Sequence, residues 1–191
     1  MTTDTDHDTV ERDYKADPED VRIGTHVAFL VGPEQPEDGD AAQEPRLVLV
    51  YKAELDPPRW GLPGGSWGAY PDETPVDTAA RHLGVRLGVR SDGYPTVLGN
   101  DWVLADRYPP GLNIIFDGGT ITPTEAALMR PMPGSAYGEV KFVPVSEIFE
   151  AELNDPEKLR IIQALRVLTA GRGFAMTVHG VPIPTPAHRA L

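Results

Sequence analysis

The sequence predicts an α/β (α+β) fold in which a mixed β-sheet is sandwiched between helices. Three observations predict it. Apolar, β-branched runs bounded by Gly, Pro and Asp recur along the chain and read as strands. Two segments carry complete helix-start signals. The elements then fall in the order β-β-β-α-β-β-β-α, which places helices against a sheet. The 191 residues suit one domain with flexible additions, and 40% hydrophobic content is enough for a core.

The first 20 residues, "MTTDTDHDTVERDYKADPED", are expected to be an acidic disordered tail. They lack the basic start and apolar middle of a secretory signal. "VRIGTHVAFLVG" (21–32) reads as a strand, an acidic loop follows, and "RLVLVYKAEL" (46–55) is a second strand that forms a long-looped hairpin with the first. "DPPRWGLPGG" is a turn or short strand. A helix starts at Thr74, a good N-cap, with Pro75 at the first helical position and Asp77 completing a capping box. Ala79, Ala80, Leu83 and Leu87 give its apolar face, and Gly88 stops it. Strands are expected within 94–106, 111–119 and 138–149. A second helix fills 154–171, capped by Asn154 or Asp155, with Leu159, Ile161, Ile162, Leu165 and Leu168 as its apolar face. The expected domain spans 21–172, and 173–191 is a C-terminal extension that can add a strand before a proline-rich end.

The formal charge of −12 is concentrated in two places. Residues 1–21 carry −6 and residues 33–45 carry −5, which leaves about −1 for the rest. Such a chain lacks the basic surface that non-specific nucleic-acid binding needs. It has no cysteine, which excludes disulfides, thiolate metal sites and a cysteine nucleophile. It has no run of about 18 apolar residues, so no membrane helix is expected.

The chemical signal lies in Trp60-Gly61-Leu62-Pro63-Gly64-Gly65, followed by Glu73, Arg81, Leu83, Gly88 and Val89. Together these resemble the Nudix box, G-x5-E-x7-R-E-U-x-E-E-x-G-U with U aliphatic, and its usual W-x-L-P-G-G lead-in. The resemblance covers about residues 21–171. It implies the Nudix (MutT-like) fold, with the sheet between helices. It also implies that Gly65, Glu73, Arg81 and Gly88 are the structural residues of the box, Glu73 and Arg81 tying loop to helix as an ion pair. Seven residues separate Gly65 from Glu73 where the family has five, so the loop is longer.

The box is degenerate at its metal-binding positions. The three family glutamates of R-E-U-x-E-E fall on His82, Val85 and Arg86. Residues at i, i+3 and i+4 share a helix face, and three carboxylates there would give Mg²⁺ or Mn²⁺ its preferred oxygen ligands. Valine cannot ligate, and imidazole suits a hard cation poorly. A guanidinium about 5 Å away, at an effective dielectric near 20, costs on the order of 3 kcal/mol per unit of like charge.

His82 is the box residue with acid–base capacity near neutral pH and is the candidate catalytic group, against a packing role bonded to a carbonyl. Arg86 is the candidate anchor for a phosphate or carboxylate, against a surface ion pair. Val85 is expected to pack. Trp67 and Tyr70, in the lengthened loop, are candidate ligand-stacking residues, and Trp102 and Tyr108 are weaker ones. Asp72, Asp77, Asp101, Asp106, Glu125 and Glu139 are the acids from which a relocated metal site could be built.

These residues lead to a Nudix-fold protein that has lost the metal-dependent diphosphatase site. It would bind a nucleotide-like or other anionic small molecule, with a metal-free activity left open. The alternative is an active Nudix hydrolase that cleaves a nucleoside diphosphate linked to another moiety, using relocated carboxylates for Mg²⁺ or Mn²⁺. No cofactor is expected under the first reading. The expected partner is a small molecule, with no nucleic acid and no membrane, homodimerisation is left open, and the expected compartment is the cytoplasm.

Overall fold

The computed structural model describes residues 21–32, 44–68, 70, 72–90, 96–105, 109–171 and 173–183. The expected acidic tail (1–20) lies outside them, as do Asp106 and Tyr108.

Alternation along the first two strands decides the architecture. In β1 (Arg22–Val31), Val27, Phe29 and Val31 point to one face and Ala28 to the other. In β2 (Arg46–Lys52), Val48 and Val50 join the first face, and Leu47 and Leu49 the second. A strand that is apolar on both faces must be covered on both. Ala79, Leu83 and Leu87 of helix α1 (Pro75–Leu87) cover the first face. Ile161, Ala164 and Leu165 of helix α3 (Asp155–Ala170) cover the second. Burial of each large core side chain, such as Leu83 at 1% exposure, contributes about 1.5–3 kcal/mol.

The remaining strands are β3 (Arg59–Gly61), β4 (Gly64–Ser66), β5 (Val97–Val103), β6 (Gly111–Ile121), β7 (Tyr137–Pro144), β8 (Ala175–Val178) and β9 (Val181–Pro182). The sheet runs β3-β2-β1-β6-β5-β8-β9, with β4 also pairing β1 and β7 pairing β2. It is mixed: β1–β6 and β5–β8 are parallel, whereas β1–β2, β2–β7 and β5–β6 are antiparallel. The expected β1–β2 hairpin forms, in register Leu30↔Leu47.

The expected start of α1 forms in full. Thr74 accepts from the Asp77 amide, Asp77 reaches back to the Thr74 amide, Pro75 opens the helix, and Gly88 closes it at φ 67°. Asn154, not Asp155, caps α3. One element differs from the sequence reading. A short helix, α2 (Pro123–Leu128), was not anticipated, although Thr122-Pro123-Thr124-Glu125 repeats the capping logic of α1. The strand expected in the C-terminal extension is β8, which pairs in parallel with β5 and is followed by the short β9.

Candidate functional site

The site begins with two glycines. Gly64 lies at φ 145°, and a Cβ there would overlap the Thr25 carbonyl oxygen, so only glycine lets β4 run this close to β1. Tyr137 fixes that position from below. Its hydroxyl donates to the Gly64 carbonyl (2.6 Å) and accepts from the Gly64 amide (2.7 Å). A Cβ on Gly65 would overlap the imidazole of His82, so this glycine makes room for that ring.

His82 is 5% exposed, and its Nε2 donates to the Ser66 carbonyl at 3.1 Å. Burial, and then the positive charge of Arg86, push its pKa down to about 3. The ring is therefore neutral at physiological pH. It braces β4 against α1, the packing role weighed for it, and it is not among the residues lining the cleft.

The loop between β4 and α1 is tied down as the resemblance implies. Arg81 donates through Nε to Glu73 Oε1 (2.6 Å) and through Nη2 to Glu73 Oε2 (3.1 Å). Burial works against the Glu73 carboxylate, but the guanidinium outweighs it and holds the pKa below the ordinary value. The Trp67 indole N–H donates to the Glu73 carbonyl, and the Arg81 guanidinium lies 5.7 Å above the Tyr70 ring. Neither Trp67 nor Tyr70 lines the cleft, so both aromatics are engaged within the loop they belong to.

Arg86 does face the cleft. It is 8% exposed, donates to Glu54 Oε1 at 3.0 Å and stacks over the Tyr137 ring at 5.2 Å. Val85 departs from expectation: at 50% exposure it points outward, because position 85 falls off the stripe that carries His82, Leu83, Arg86 and Leu87 inward.

A cavity of about 650 Å³ opens beside these residues. Its walls include Arg22, Gly24 and His26 of β1, Lys52 at the end of β2, and Glu54, Asp56 and Arg59 just beyond it. Gly64, Gly65, Arg86, Asn113 of β6, and Glu157 and Arg160 of α3 also line it. Five basic side chains thus face three carboxylates, a formal +2 in a chain of −12. The His26 Nε2 bonds Asn113 Oδ1 at 3.1 Å, and burial keeps the imidazole neutral by lowering its pKa.

Behind the cavity lies a buried ionic network that the apolar pattern of α3 does not announce. Asp101 is 0% exposed and accepts from Arg160 Nε (2.8 Å) and Nη2 (2.6 Å) at one oxygen. Its other oxygen accepts from the Thr177 hydroxyl (2.5 Å) and the Gly180 amide (2.7 Å). Arg160 also donates to Glu157, whose second oxygen accepts from the Leu62 amide at 3.3 Å. Glu157 and Arg160 therefore occupy the inner face of α3, where Leu159, Ile162 and Leu168 are only partly buried.

Of the described acids from which a relocated metal site could be built, three are engaged and two lie away from the cavity. Asp77 and Glu125 are held in capping boxes, and Asp101 is held by the network just described. Asp72 and Glu139 are exposed and do not line the cavity. Sequence reasoning missed Lys52, Glu54, Asp56, Glu157 and Arg160. The one local signal was a lysine closing the buried run "RLVLVYK".

This arrangement, a mixed sheet between helices with a glycine-rich strand feeding α1 at the mouth of a cleft, is the Nudix fold. The chain superimposes on the Nudix domain of NrtR from Shewanella oneidensis in complex with ADP-ribose, with a TM-score of 0.59 at 18% identity, over 78% of this chain and 90% of that one. It also matches the MutT protein of Methanosarcina mazei Go1 (TM-score 0.56, 16% identity, 80% of this chain and 96% of that one). The MutT protein of Bacillus halodurans matches as well (TM-score 0.56, 14% identity, 83% and 90%). A longer NrtR chain in complex with a 27-mer DNA is matched over 62% of its length (TM-score 0.52, 19% identity, 78% of this chain). No protein-family model matches the sequence, and no curated protein matches it. Among the described residues, no helix is long and apolar enough to cross a membrane.

The divalent cation that the fold implies does not fit the described residues of α1. The inward face of α1 offers a neutral imidazole and a guanidinium where carboxylates would be needed. Among the described residues, no three His, Asp or Glu side chains lie together as a metal-ligand set.

Proposed function

We propose that this is a Nudix-fold protein without the metal-dependent diphosphatase site, whose cleft binds a nucleotide-like or other anionic small molecule. The observation that carries this reading is the +2 cleft in a strongly acidic chain. A locally basic cavity raises the local concentration of an anion against the field of the whole protein. Arg86 contributes a fixed charge where the family places a carboxylate, which favours a ligand anion over a metal ion. ADP-ribose is the first probe, because a structurally similar domain was crystallised with it.

The test uses the full chain in chelator. ADP-ribose, ADP and pyrophosphate are each titrated by calorimetry, and their effect on thermal unfolding is read in parallel. Saturable binding that is unchanged by chelator supports the reading. Mg²⁺- or Mn²⁺-dependent hydrolysis of nucleoside diphosphate derivatives, abolished by chelator, overturns it in favour of a working hydrolase.

A further inference from the structure

Lys52 is the anomaly of the cleft. It is 8% exposed and lines the cavity, yet its ammonium makes no ion pair or hydrogen bond with any described residue. The other buried cations of the cavity are engaged. Arg86 is paired with Glu54, and Arg160 with Asp101 and Glu157. Arg59 also lines the cavity but is more exposed, and can stay hydrated. The Lys52 ammonium is not among the sealed unsatisfied polar atoms, so its stem is buried while its tip opens onto the cavity without a contact partner among the described residues. A sequence that keeps such a group at the wall of a cavity is using it on something that enters the cavity.

We propose that Lys52 is the primary anion-binding residue of the cleft, donating directly to a phosphoryl oxygen of a ligand of the nucleoside diphosphate class. This rests on the anion-binding reading above and goes beyond it, since Arg86 alone was the anchor expected from the box. The charges around Lys52 agree. Glu54 follows it on the chain and Glu157 approaches from α3, while Arg86 from α1 and Arg160 from α3 repel it, and His26 from β1 is neutral. Burial dominates this balance and brings the Lys52 pKa down to about 8. Glu54 and Glu157 offer charge at a distance but no contact; an incoming phosphate supplies the contact, so binding restores the proton.

The experiment titrates ADP-ribose and pyrophosphate, in chelator, into wild type, Lys52→Met and Lys52→Gln. Affinity is expected to fall at least tenfold in both variants, with the thermal midpoint unchanged or higher. At pH 8.5, with buffers of different ionisation enthalpy, wild type should take up a large fraction of a proton on binding ADP-ribose, whose diphosphate does not titrate there, since a group of pKa about 8 is mostly deprotonated at that pH. The variants should take up none, a difference that a purely structural lysine would not produce and that an arginine anchor cannot. Wild-type binding with unchanged affinity in both variants, or without proton uptake, overturns the role of Lys52 and leaves the anion-binding reading in place. If wild type binds neither probe, both fall together.

Discussion

Lowering the pH from 7 to 5 should destabilise this protein through histidine alone, and the effect decides what His82 is. In the unfolded chain an imidazole titrates near 6.5, whereas folded His82 is held at about 3 by burial and by Arg86. Its folded pKa is depressed, so between these values the unfolded state binds the proton and the native state does not. Stability is full above pH 6.5 and falls as the pH drops toward 3. From pH 7 to pH 5 the loss is about 2 kcal/mol for one such imidazole. His26, buried and lowered in the same direction, adds to this loss, which is set against a typical total stability of about 5–15 kcal/mol. This window lies above the carboxylate range, so Glu73 and Glu157, whose pKa values are lowered, do not contribute. Urea unfolding followed by tryptophan fluorescence at pH 7 and pH 5 measures the difference. His82→Gln keeps a donor for the Ser66 carbonyl and should remove about 2 kcal/mol of the pH dependence. NMR titration of the ring supplies the direct check. An imidazole that titrates near 6.5, or a His82→Gln protein with undiminished pH dependence, refutes the burial argument and restores His82 as an acid–base candidate.

Two further outcomes follow from the packing. Gly65→Ala places a methyl into the His82 ring and should cost about 1–3 kcal/mol in urea unfolding, most of it recovered in the Gly65→Ala/His82→Ala double variant. A single variant as stable as wild type would mean that β4 can shift away from α1. Asp101→Asn turns an amide donor or a neutral oxygen toward the buried Arg160 and should cost about 3–5 kcal/mol. A loss under about 1 kcal/mol would show that Glu157 alone satisfies that guanidinium.

Much of the fold was legible locally. Thr74-Pro75-Val76-Asp77 specifies a helix start whatever surrounds it, because the cap is satisfied within four residues, and Gly88 specifies the stop for the same reason. The same grammar at Thr122–Glu125 went unread because the helix it opens is only six residues long, too short for an apolar period to emerge. The Glu73–Arg81 tie was legible too, since both partners lie within one loop and the helix that follows it. The absence of a carboxylate cluster on α1 needed nothing beyond the sequence: side-chain chemistry at fixed helical spacing determines it.

The occupants of the cleft were decided only in three dimensions. Lys52 meets Arg86 and Glu157 because the end of β2, the last turn of α1 and the first turns of α3 converge on one cavity. Asp101 and Arg160, 59 positions apart, pair because β5 passes beneath α3. No local pattern separates a buried charged residue on α3 from a solvated one, since the difference is its partner and the partner is far away in the chain. Backbone capping and side-chain identity are short-range properties and can be read from the sequence. Burial, pairing and the pKa values that follow from them depend on which distant segments the sheet brings together.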